Sequence, residues 1–390
     1  MPKPKLIRIT TVPISLEKLL EGQLSFMQSN FQVTAISAEP DRLADFGRDN
    51  EVLVFPLEMT RQITPWKDLK ALVKLVRYLR KERPEIVHTH TPKAGIVGML
   101  AAKLAGVPIR LHTVAGLPLM EATGKKRWLL NTVEKLTYSC ATGVYPNSKG
   151  LYDFILKEKF TKPEKLNIIA GGSSNGINTK HFNPELFRET EKQKLRNSLS
   201  INPNDFVFVF VGRLVGDKGI NELVSAFKSL GAQNKNQGSK LLLVGSLETE
   251  LDPLEQETIQ EIETNPNIIA VGYQKDVRPY FAISNTLVFP SYREGFPNVV
   301  MQAGAMGLPA IVSNINGCNE IIKDSENGVI IPVKNTAAIQ EVLSLFLEDK
   351  VFVSALKQKA RPLIVERYEQ SKVWTALLHE YNRLLKEVNC

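Results

Sequence analysis

The chain has 390 residues, of which 43% are apolar, 23% charged and 7% aromatic, so it is long enough for two or three domains with substantial cores. This composition excludes a disordered chain, a collagen-like fibre and a small disulfide-stapled scaffold. The first half carries a net charge of +11 and the second −3, a basic bias that suits nucleic acid, a phospholipid surface or a phosphorylated ligand.

Short apolar runs alternate with helix-sized segments along both halves. The runs predicted as strands are Leu6–Val12, Phe31–Ser37, Val52–Leu57, Ile86–Thr91, Ile109–Val114, Gly143–Asn147 and Leu166–Ala170, then Phe206–Gly212, Leu241–Gly245, Ile268–Gly272, Thr286–Pro290, Ala310–Ser313 and Gly328–Pro332. Such β-branched runs are typical of parallel strands buried on both faces, and the alternation is that of βαβ units. We therefore predict an α/β chain of two Rossmann-like domains, each a doubly wound parallel sheet, with ligands at the carboxyl ends of the strands.

The polar, charged stretch 183–205 predicts the domain boundary. We expect a first domain over 1–195, a second over 196–360 and a helical segment over 361–390. That segment has Trp374, Leu377, Leu378 and Tyr381 at helical spacing, which suits a brace on the first domain or ordinary core packing. The N-terminus reads as a strand rather than a signal peptide, no run is long enough to span a bilayer, and three scattered cysteines favour a reducing compartment, so we expect a cytoplasmic protein.

The first candidate site follows the strand that ends at Gly212. Arg213 and Lys218 lie in a glycine-containing turn before a helix that we expect to begin near Gly219. Glycines allow close backbone approach, and two cations beside a helix N-terminus suit a phosphate group. The turn matches neither GxxxxGK[ST] nor GxGxxG, and the alternative is a plain strand-to-helix turn with solvated charges.

The second candidate site follows Thr286–Pro290. Glu294 and Gly295 occupy a turn there, and Pro297 stands where a first helical residue belongs. The first amides of that helix would be free to bind an anion. A carboxylate beside an anion site is a candidate for holding sugar hydroxyls, and the alternative is that Glu294 only interacts with the helix dipole.

These motifs occur in the order of a known family. EGFPNVVMQAGAMGLPAIVS resembles the E(G)xPxxxxEAxAxGxPVI segment of retaining family-4 glycosyltransferases of the GT-B fold, and VGRLVGDKGI resembles their GRLxxxKG segment. IVHTHTPKAGIVGMLAAKLAGVPIRLHTVAGLP, VYPNSKG and GGSSNGINTKHF resemble further segments of the same family. The resemblance spans nearly the whole chain. It is closest to enzymes of capsular-polysaccharide and O-antigen synthesis, which use nucleotide-sugar donors and undecaprenyl-diphosphate-linked acceptors.

The resemblance implies a GT-B architecture whose two domains face a central cleft, with the acceptor on the first domain and the donor on the second. Arg213 and Lys218 would bind the donor diphosphate as catalytic cations, and Glu294 would bind donor sugar hydroxyls. The other implied donor contacts are Gly212, Gly272, Tyr273, Gly295, Phe296, Pro297, Asn298, Val299 and Gln302. The candidates for the acceptor side, at strand ends, are His90, His112 and Gly116.

Two positions depart from the family pattern. Gln302 stands where the family has a second acidic residue, and because its carbonyl oxygen still accepts from a ribose hydroxyl we expect altered ribose binding with activity retained. Ala115 stands where many relatives have a histidine that contacts the donor sugar. His112 either substitutes for that histidine or is a strand residue satisfied by the backbone.

We predict neither a metal site nor a cofactor, the nucleotide sugar being a substrate. The chain has no Asp-x-Asp pair, and Arg213 with Lys218 would supply the charge that a metal provides elsewhere. His88 and His90 alternate in one strand and point the same way, but they have no third ligand nearby in the sequence.

Two basic segments of the first half suit an anionic inner-leaflet surface. The first is one helix face with Lys67, Lys70, Lys74, Arg77 and Lys81, opposite Leu69, Leu72, Val73, Val76 and Leu79. The second is Lys125, Lys126 and Arg127, beside Leu117, Pro118, Leu119, Met120, Trp128, Leu129 and Leu130. The alternative is a solvated helix face. Nucleic acid is not an expected partner, because no RRM, KH or zinc-finger pattern occurs.

We therefore predict a retaining, metal-independent hexosyl or N-acetylhexosaminyl transferase of bacterial surface-polysaccharide synthesis, peripheral on the inner face of the cytoplasmic membrane. It would move a sugar from a UDP-linked donor to a hydroxyl of an undecaprenyl-diphosphate-linked saccharide. Gln302 and Ala115 motivate one alternative, a catalytically weak accessory subunit. The other alternative is a GT-B sugar-nucleotide epimerase.

Overall fold

We describe the protein from a computed structural model that covers residues 2–60, 64–117, 119, 122–232, 238–250 and 252–389. The chain divides into two compact units: Met1–Asn175 together with Gln370–Cys390, and Gly176–Glu369. Among the helices in the covered ranges, none combines the length and the apolarity that a bilayer span requires.

The first unit is built on a parallel six-stranded sheet of order β3-β2-β1-β4-β5-β6. Its strands are β1 (Lys5–Ile9), β2 (Gln32–Ser37), β3 (Leu53–Pro56), β4 (Ile86–Thr89), β5 (Ile109–Val114) and β6 (Gly143–Pro146). Its helices are α1 (Pro13–Leu19), α2 (Gln23–Met27), α3 (Pro40–Asn50), α4 (Pro65–Glu82), α5 (Pro92–Leu104), α6 (Gly124–Cys140), α7 (Lys149–Lys157) and, from the end of the chain, α16 (Gln370–Asn389). Successive strand residues point to opposite faces, so Ile7 packs with α4–α7 and Leu6 packs with α1–α3 and α16.

The second unit is built on a second parallel sheet, of order β12-β11-β10-β7-β8-β9. Its strands are β7 (Phe206–Val211), β8 (Ser239–Val244), β9 (Ile268–Ala270), β10 (Thr286–Phe289), β11 (Ala310–Ser313) and β12 (Gly328–Ile331). Its helices are α8 (Glu189–Ser198), α9 (Ile220–Ala232), α10 (Gln256–Thr264), α11 (Arg278–Ala282), α12 (Asn298–Ala305), α13 (Cys318–Ile321), α14 (Thr336–Glu348) and α15 (Lys350–Tyr368). Its strands are buried on both faces, which explains their continuous apolar runs.

The two-sheet α/β prediction is confirmed, and twelve of the thirteen predicted runs contain a strand. The prediction for Leu166–Ala170 is wrong. Leu166 makes a single bridge to Val144, and Ala170 has a φ of 49° inside a short 3-10 turn. A left-handed residue interrupts extended backbone, so no strand continues there.

The units divide at Asn175, about twenty residues before the predicted boundary at 195. The charged stretch that suggested a linker contains α8. Arg196 of that helix donates to the carbonyl oxygens of Ile283 (2.7 Å) and Asp205 (2.7 Å), which anchors it to the second unit. Its polarity reflects an exposed helix rather than a connection between domains.

The segment predicted as 361–390 contains the end of α15 and the whole of α16, which have different neighbours. Helix α15 belongs to the second unit, where it packs against α12. Helix α16 belongs to the first unit, where the Trp374 and Phe26 ring centroids are 5.3 Å apart and Tyr381 is fully buried.

Candidate functional site

The turn after β7 is held tightly against neighbouring backbone. Gly219, at the start of α9, has a φ of 72°, and a Cβ there would lie 2.3 Å from the Pro290 carbonyl oxygen. Only glycine fits such a conformation and such an approach. The contact brings Lys218, the residue before it, next to the turn that follows β10.

Lys218 and Glu294 form an ion pair between these two turns. The Lys218 Nζ lies 2.5 Å from Glu294 Oε1, and the two side chains are 15% and 19% exposed. Ser291 Oγ donates to the same carboxylate oxygen at 3.1 Å, and Nζ lies 5.9 Å from the centre of the Phe289 ring. Two of the three predicted catalytic residues are therefore together at the carboxyl edge of the second sheet, where open α/β sheets bind ligands.

Arg213, the third predicted catalytic residue, has a different carboxylate partner. Its Nη1 lies 2.9 Å from Glu248 Oε2, on the turn after β8, with side chains 47% and 33% exposed. A third ion pair joins Arg293 and Asp217 at 2.7 Å. The two predicted phosphate-binding cations are thus each matched by a carboxylate, which the sequence did not indicate.

The segment 295–299 leads into α12. Pro297 is the residue before the helix rather than its first residue, since the helix begins at Asn298. The Phe296 side chain is buried, with its ring centroid 5.4 Å from that of Tyr368, so this side chain packs in the core. Asn298 is exposed, and the neighbouring Val299, Gly295 and Gln302 are half-buried.

Two predicted contacts lie at the end of β9. Gly272 has a φ of 67°, and its carbonyl oxygen accepts from the amide of Gly245 at 2.9 Å. Tyr273 follows with a 73% exposed side chain. Gly212, Gly272 and Glu294 come after β7, β9 and β10, so the predicted donor positions share one edge of one sheet.

Two of the three acceptor-side predictions are not supported by the structure. His112 is 3% exposed and faces α5, where its Cε1 would lie 2.6 Å from a Cβ on Gly95. Its Nδ1 is 2.7 Å from Thr89 Oγ1, and burial lowers its pKa to about 4. It is a core histidine satisfied by a neighbouring strand hydroxyl. Gly116 is half-buried with open space at its Cβ position, and its role stays a prediction.

His90 is also buried, at 4% exposure, on the face of the sheet covered by α16. Arg8 donates to its Nε2 from Nε (3.1 Å) and Nη2 (2.7 Å). Because arginine can only donate, His90 Nε2 is the acceptor, and its proton in the neutral form sits on Nδ1. Desolvation and the neighbouring guanidinium hold the pKa of His90 well below its usual 6.5.

The hydrogen bonds of Arg8 form a network with two arms. The first arm is the contact with His90, and the second runs through the last helix, α16. Arg8 Nη1 donates to the Tyr381 hydroxyl at 2.9 Å, that hydroxyl lies 2.6 Å from His88 Nδ1, and His88 Nε2 lies 2.7 Å from Thr113 Oγ1. Arg8 is fully buried. A buried guanidinium with neutral partners is costly unless its donors are used, which explains why His90, the Tyr381 hydroxyl and Gln23 Oε1 all accept from Arg8.

A small cavity of about 20 Å³ lies at the end of both arms. Its lining includes His90, Asn147 and Ser174. Within the described residues, His90 Nδ1, Asn147 Oδ1 and Ser174 Oγ are buried without a hydrogen-bond partner. The volume is that of one water molecule, so a single water suffices to bridge these polar atoms.

The basic stripe of α4 (Lys67, Lys70, Lys74, Arg77 and Lys81) is exposed at all five positions. Its apolar side differs from the prediction: Ala71, Leu75 and Leu79 are buried, whereas Leu69 (49%) and Val73 (42%) are exposed, as is Trp66 at 80%. The outer surface of α4 therefore carries apolar and cationic side chains side by side.

The second basic segment forms the start of α6. Lys125 and Lys126 are exposed, and Trp128 is 70% exposed. Arg127 does not share this surface, because it pairs with Glu158 at 3.2 Å and donates to the Leu119 carbonyl oxygen at 2.6 Å. Pro118 and Met120 lie outside the described residues. Within the described part of the chain, no group of three or more His, Cys, Asp or Glu side chains could hold a metal ion.

Sequence reasoning missed Glu248 and Arg8, and it placed Tyr381 on the last helix without foreseeing its hydrogen bonds to Arg8 and His88. Arg8 carried a signal, since a charged residue inside an otherwise apolar strand must find buried partners. No sequence signal marked Glu248, because its contact with Arg213 depends only on the packing of two turns.

Comparison with known proteins identifies the class. Residues 191–362 match the model of the glycosyl transferases group 1, and residues 25–172 match that of the glycosyl transferase 4-like domain. The chain is 33% identical over 389 residues, 99% of both chains, to the capsular polysaccharide biosynthesis glycosyltransferase CapM of Staphylococcus aureus. The chain belongs to the family-4 glycosyltransferases.

Two further similarities refine this assignment. The chain is 30% identical over 340 residues to the UDP-Gal:alpha-D-GlcNAc-diphosphoundecaprenol alpha-1,3-galactosyltransferase of Escherichia coli, covering 87% of this chain and 85% of the other. Its fold matches Anabaena Alr3699/HepE, solved in complex with UDP, with a TM-score of 0.79 at 17% identity, covering 97% of this chain and all of that one. The fold is GT-B.

Proposed function

We propose that this glycosyltransferase moves a sugar from a UDP-sugar donor to a hydroxyl of an undecaprenyl-diphosphate-linked saccharide during bacterial surface-polysaccharide synthesis. The observation that carries the proposal is the Lys218–Glu294 pair at the carboxyl edge of the second sheet. The E. coli relative, whose name gives a UDP-galactose donor and a diphosphoundecaprenol acceptor, supports the substrate classes.

In this proposal Lys218 and Arg213 neutralise the negative charge that grows on the diphosphate as the bond to the sugar carbon breaks. Glu294 accepts hydrogen bonds from donor sugar hydroxyls and keeps Lys218 in position. Gln302 accepts from the ribose. The acceptor oxygen bonds to the anomeric carbon on the face from which the diphosphate departs, and its proton passes to the departing phosphate oxygen. The anomeric configuration is therefore retained.

The test is incubation of the purified protein with UDP-sugars and a lipid-linked saccharide extract, with products separated by mass and linkage. Transfer with a retained anomeric configuration is expected. An isomerised donor without transfer would point to an epimerase. Absence of both reactions, together with no UDP binding by titration, would contradict the proposal and favour an accessory subunit.

We also propose that the exposed surface of α4 contacts anionic lipid at the inner face of the membrane. Trp66, Leu69 and Val73 are exposed among the five stripe cations. Tryptophan suits the bilayer interface, and each cation near an anionic surface contributes on the order of 1 kcal/mol at physiological salt. A lipid-linked acceptor would place its phosphates at such a surface.

The experiment is co-sedimentation with vesicles that contain phosphatidylglycerol, at low and physiological salt. Reversing Lys70, Arg77 and Lys81 to Glu should release the protein without changing its UDP affinity. The matched control reverses Lys350, Lys357 and Lys359, which are exposed on α15 of the second unit, and should sediment like the wild type. Equal sedimentation of the stripe variant and the wild type would mean that the stripe is only a solvated helix face.

A further inference from the structure

The turns after β7 and β8 are joined through their backbones. The amide of Leu214 donates to the Ser246 carbonyl oxygen at 2.8 Å, and Leu214 forms a parallel bridge with Leu247. Gly245 makes this possible, because a Cβ there would lie 1.7 Å from the Gly212 carbonyl oxygen. Backbone pairing therefore determines which side chain of the second turn lies opposite Arg213.

That side chain is Glu248. The carboxylate is 2.9 Å from Arg213 Nη1, within charge-assisted hydrogen-bond distance. Carboxylates and phosphates use the same N–H groups of a guanidinium in the same planar geometry. A phosphate that binds Arg213 at Nη1 must therefore displace the Glu248 carboxylate or bind beside it, where two anions repel.

We propose that Glu248 is a built-in competitor of the donor diphosphate for Arg213, and that it sets the affinity for nucleoside diphosphates. The inference rests on the proposed role of Arg213 in binding the diphosphate. Glu248 orients Arg213 before the diphosphate binds, and the Arg213–Glu248 ion pair forms again as the nucleotide product leaves. As a consequence, the protein binds the nucleoside diphosphate product more weakly than it would without Glu248.

The exposure of the two side chains limits the size of the effect. Because both side chains are part-exposed, their mutual attraction falls in the range of surface ion pairs, which are weakened by salt. Replacing Glu248 with glutamine should therefore lower the dissociation constant for UDP by about two- to fivefold. The gain should shrink as ionic strength rises.

The experiment is calorimetric titration of UDP into four proteins: the wild type, Glu248→Gln, Arg213→Ala and the double variant. Glu248→Gln should bind more tightly than the wild type, and the gain should vanish in the Arg213→Ala background, because the coupling needs both partners. The control is Glu250→Gln, which removes the same charge from an exposed position on the same turn and should leave affinity unchanged.

The outcomes separate the inference from the proposed function. If Glu248→Gln binds UDP as the wild type does or more weakly, while Arg213→Ala binds UDP more weakly than the wild type, the competitor role of Glu248 is refuted. The assignment of Arg213 to the diphosphate site is then still supported. An equal gain in both backgrounds would also overturn it, since the effect would then be a general charge effect. Wild-type affinity in Arg213→Ala would refute the role of Arg213, and failure of the wild type to bind UDP would refute the UDP donor itself.

Discussion

The role of Lys218 can be tested with a variant that removes its charge and keeps its packing. Lys218→Met retains an apolar stem beside the Phe289 ring and deletes the ammonium group that lies 2.5 Å from Glu294. A hydrogen bond to a charged group contributes about 1.5–3 kcal/mol. We therefore expect UDP binding to weaken by about 10- to 150-fold, and turnover to fall further if the contact strengthens in the transition state.

The assay is calorimetric titration of UDP beside initial rates at saturating donor. The control is Lys228→Met, which removes a second ion-paired lysine of the same unit, 3.0 Å from Glu261 on α10, and should behave like the wild type. Thermal unfolding should show that both variants are folded. A dissociation constant within twofold of the wild type for Lys218→Met would refute a phosphate contact by Lys218.

Three further predictions concern metal, pH and the turn geometry. Transfer should persist in EDTA, because side-chain cations supply the charge; loss that magnesium or manganese restores would contradict this. The free energy of unfolding should fall as pH drops from about 6.5 toward 4, because the lowered pKa values of His88, His90 and His112 keep them neutral in the fold while the unfolded chain takes up protons. His112 alone accounts for about 2 kcal/mol of the difference between pH 7 and pH 4.5, and chemical denaturation at these two pH values measures it. Gly245→Ala should weaken UDP binding and stability together, because its Cβ would clash with the Gly212 carbonyl oxygen; unchanged melting would show that the turn adapts.

The parts of the fold that follow from local pattern could be predicted from the sequence. Buried parallel strands need β-branched runs, and strand direction determines where a parallel sheet binds ligands, so the turns of Lys218 and Glu294 could both be placed at that edge in advance. The motif order supplied the family. These predictions of strands and family did not require knowing which side chains contact each other in the folded protein.

The parts that depend on tertiary partners could not be predicted. His90 reads as a strand-end residue, but its burial depends on Arg8 and Tyr381, which are far from it in the chain. Helical spacing put Leu69 on the buried side of α4, whereas the neighbouring elements leave it exposed. Composition could not distinguish the exposed helix α8 from a linker, because both are polar.

The second unit is an insertion in the first, since the chain leaves the first unit at Asn175 and returns at Gln370. The ends of the insertion meet, with the amide of Ile177 donating to the Tyr368 carbonyl oxygen at 2.8 Å. Trp374 Nε1 in turn donates to Asn175 Oδ1 at 2.7 Å within the first unit.

During synthesis the first unit therefore emerges first and is completed last. Its sheet leaves the ribosome before the second unit exists, yet Arg8 has no Tyr381 hydroxyl until the final helix of 20 residues has been released. The second unit holds all its own residues by Glu369 and can fold as a unit before then. The first unit is thus begun before the second unit is synthesised, and it gains its last helix only after the second unit is complete.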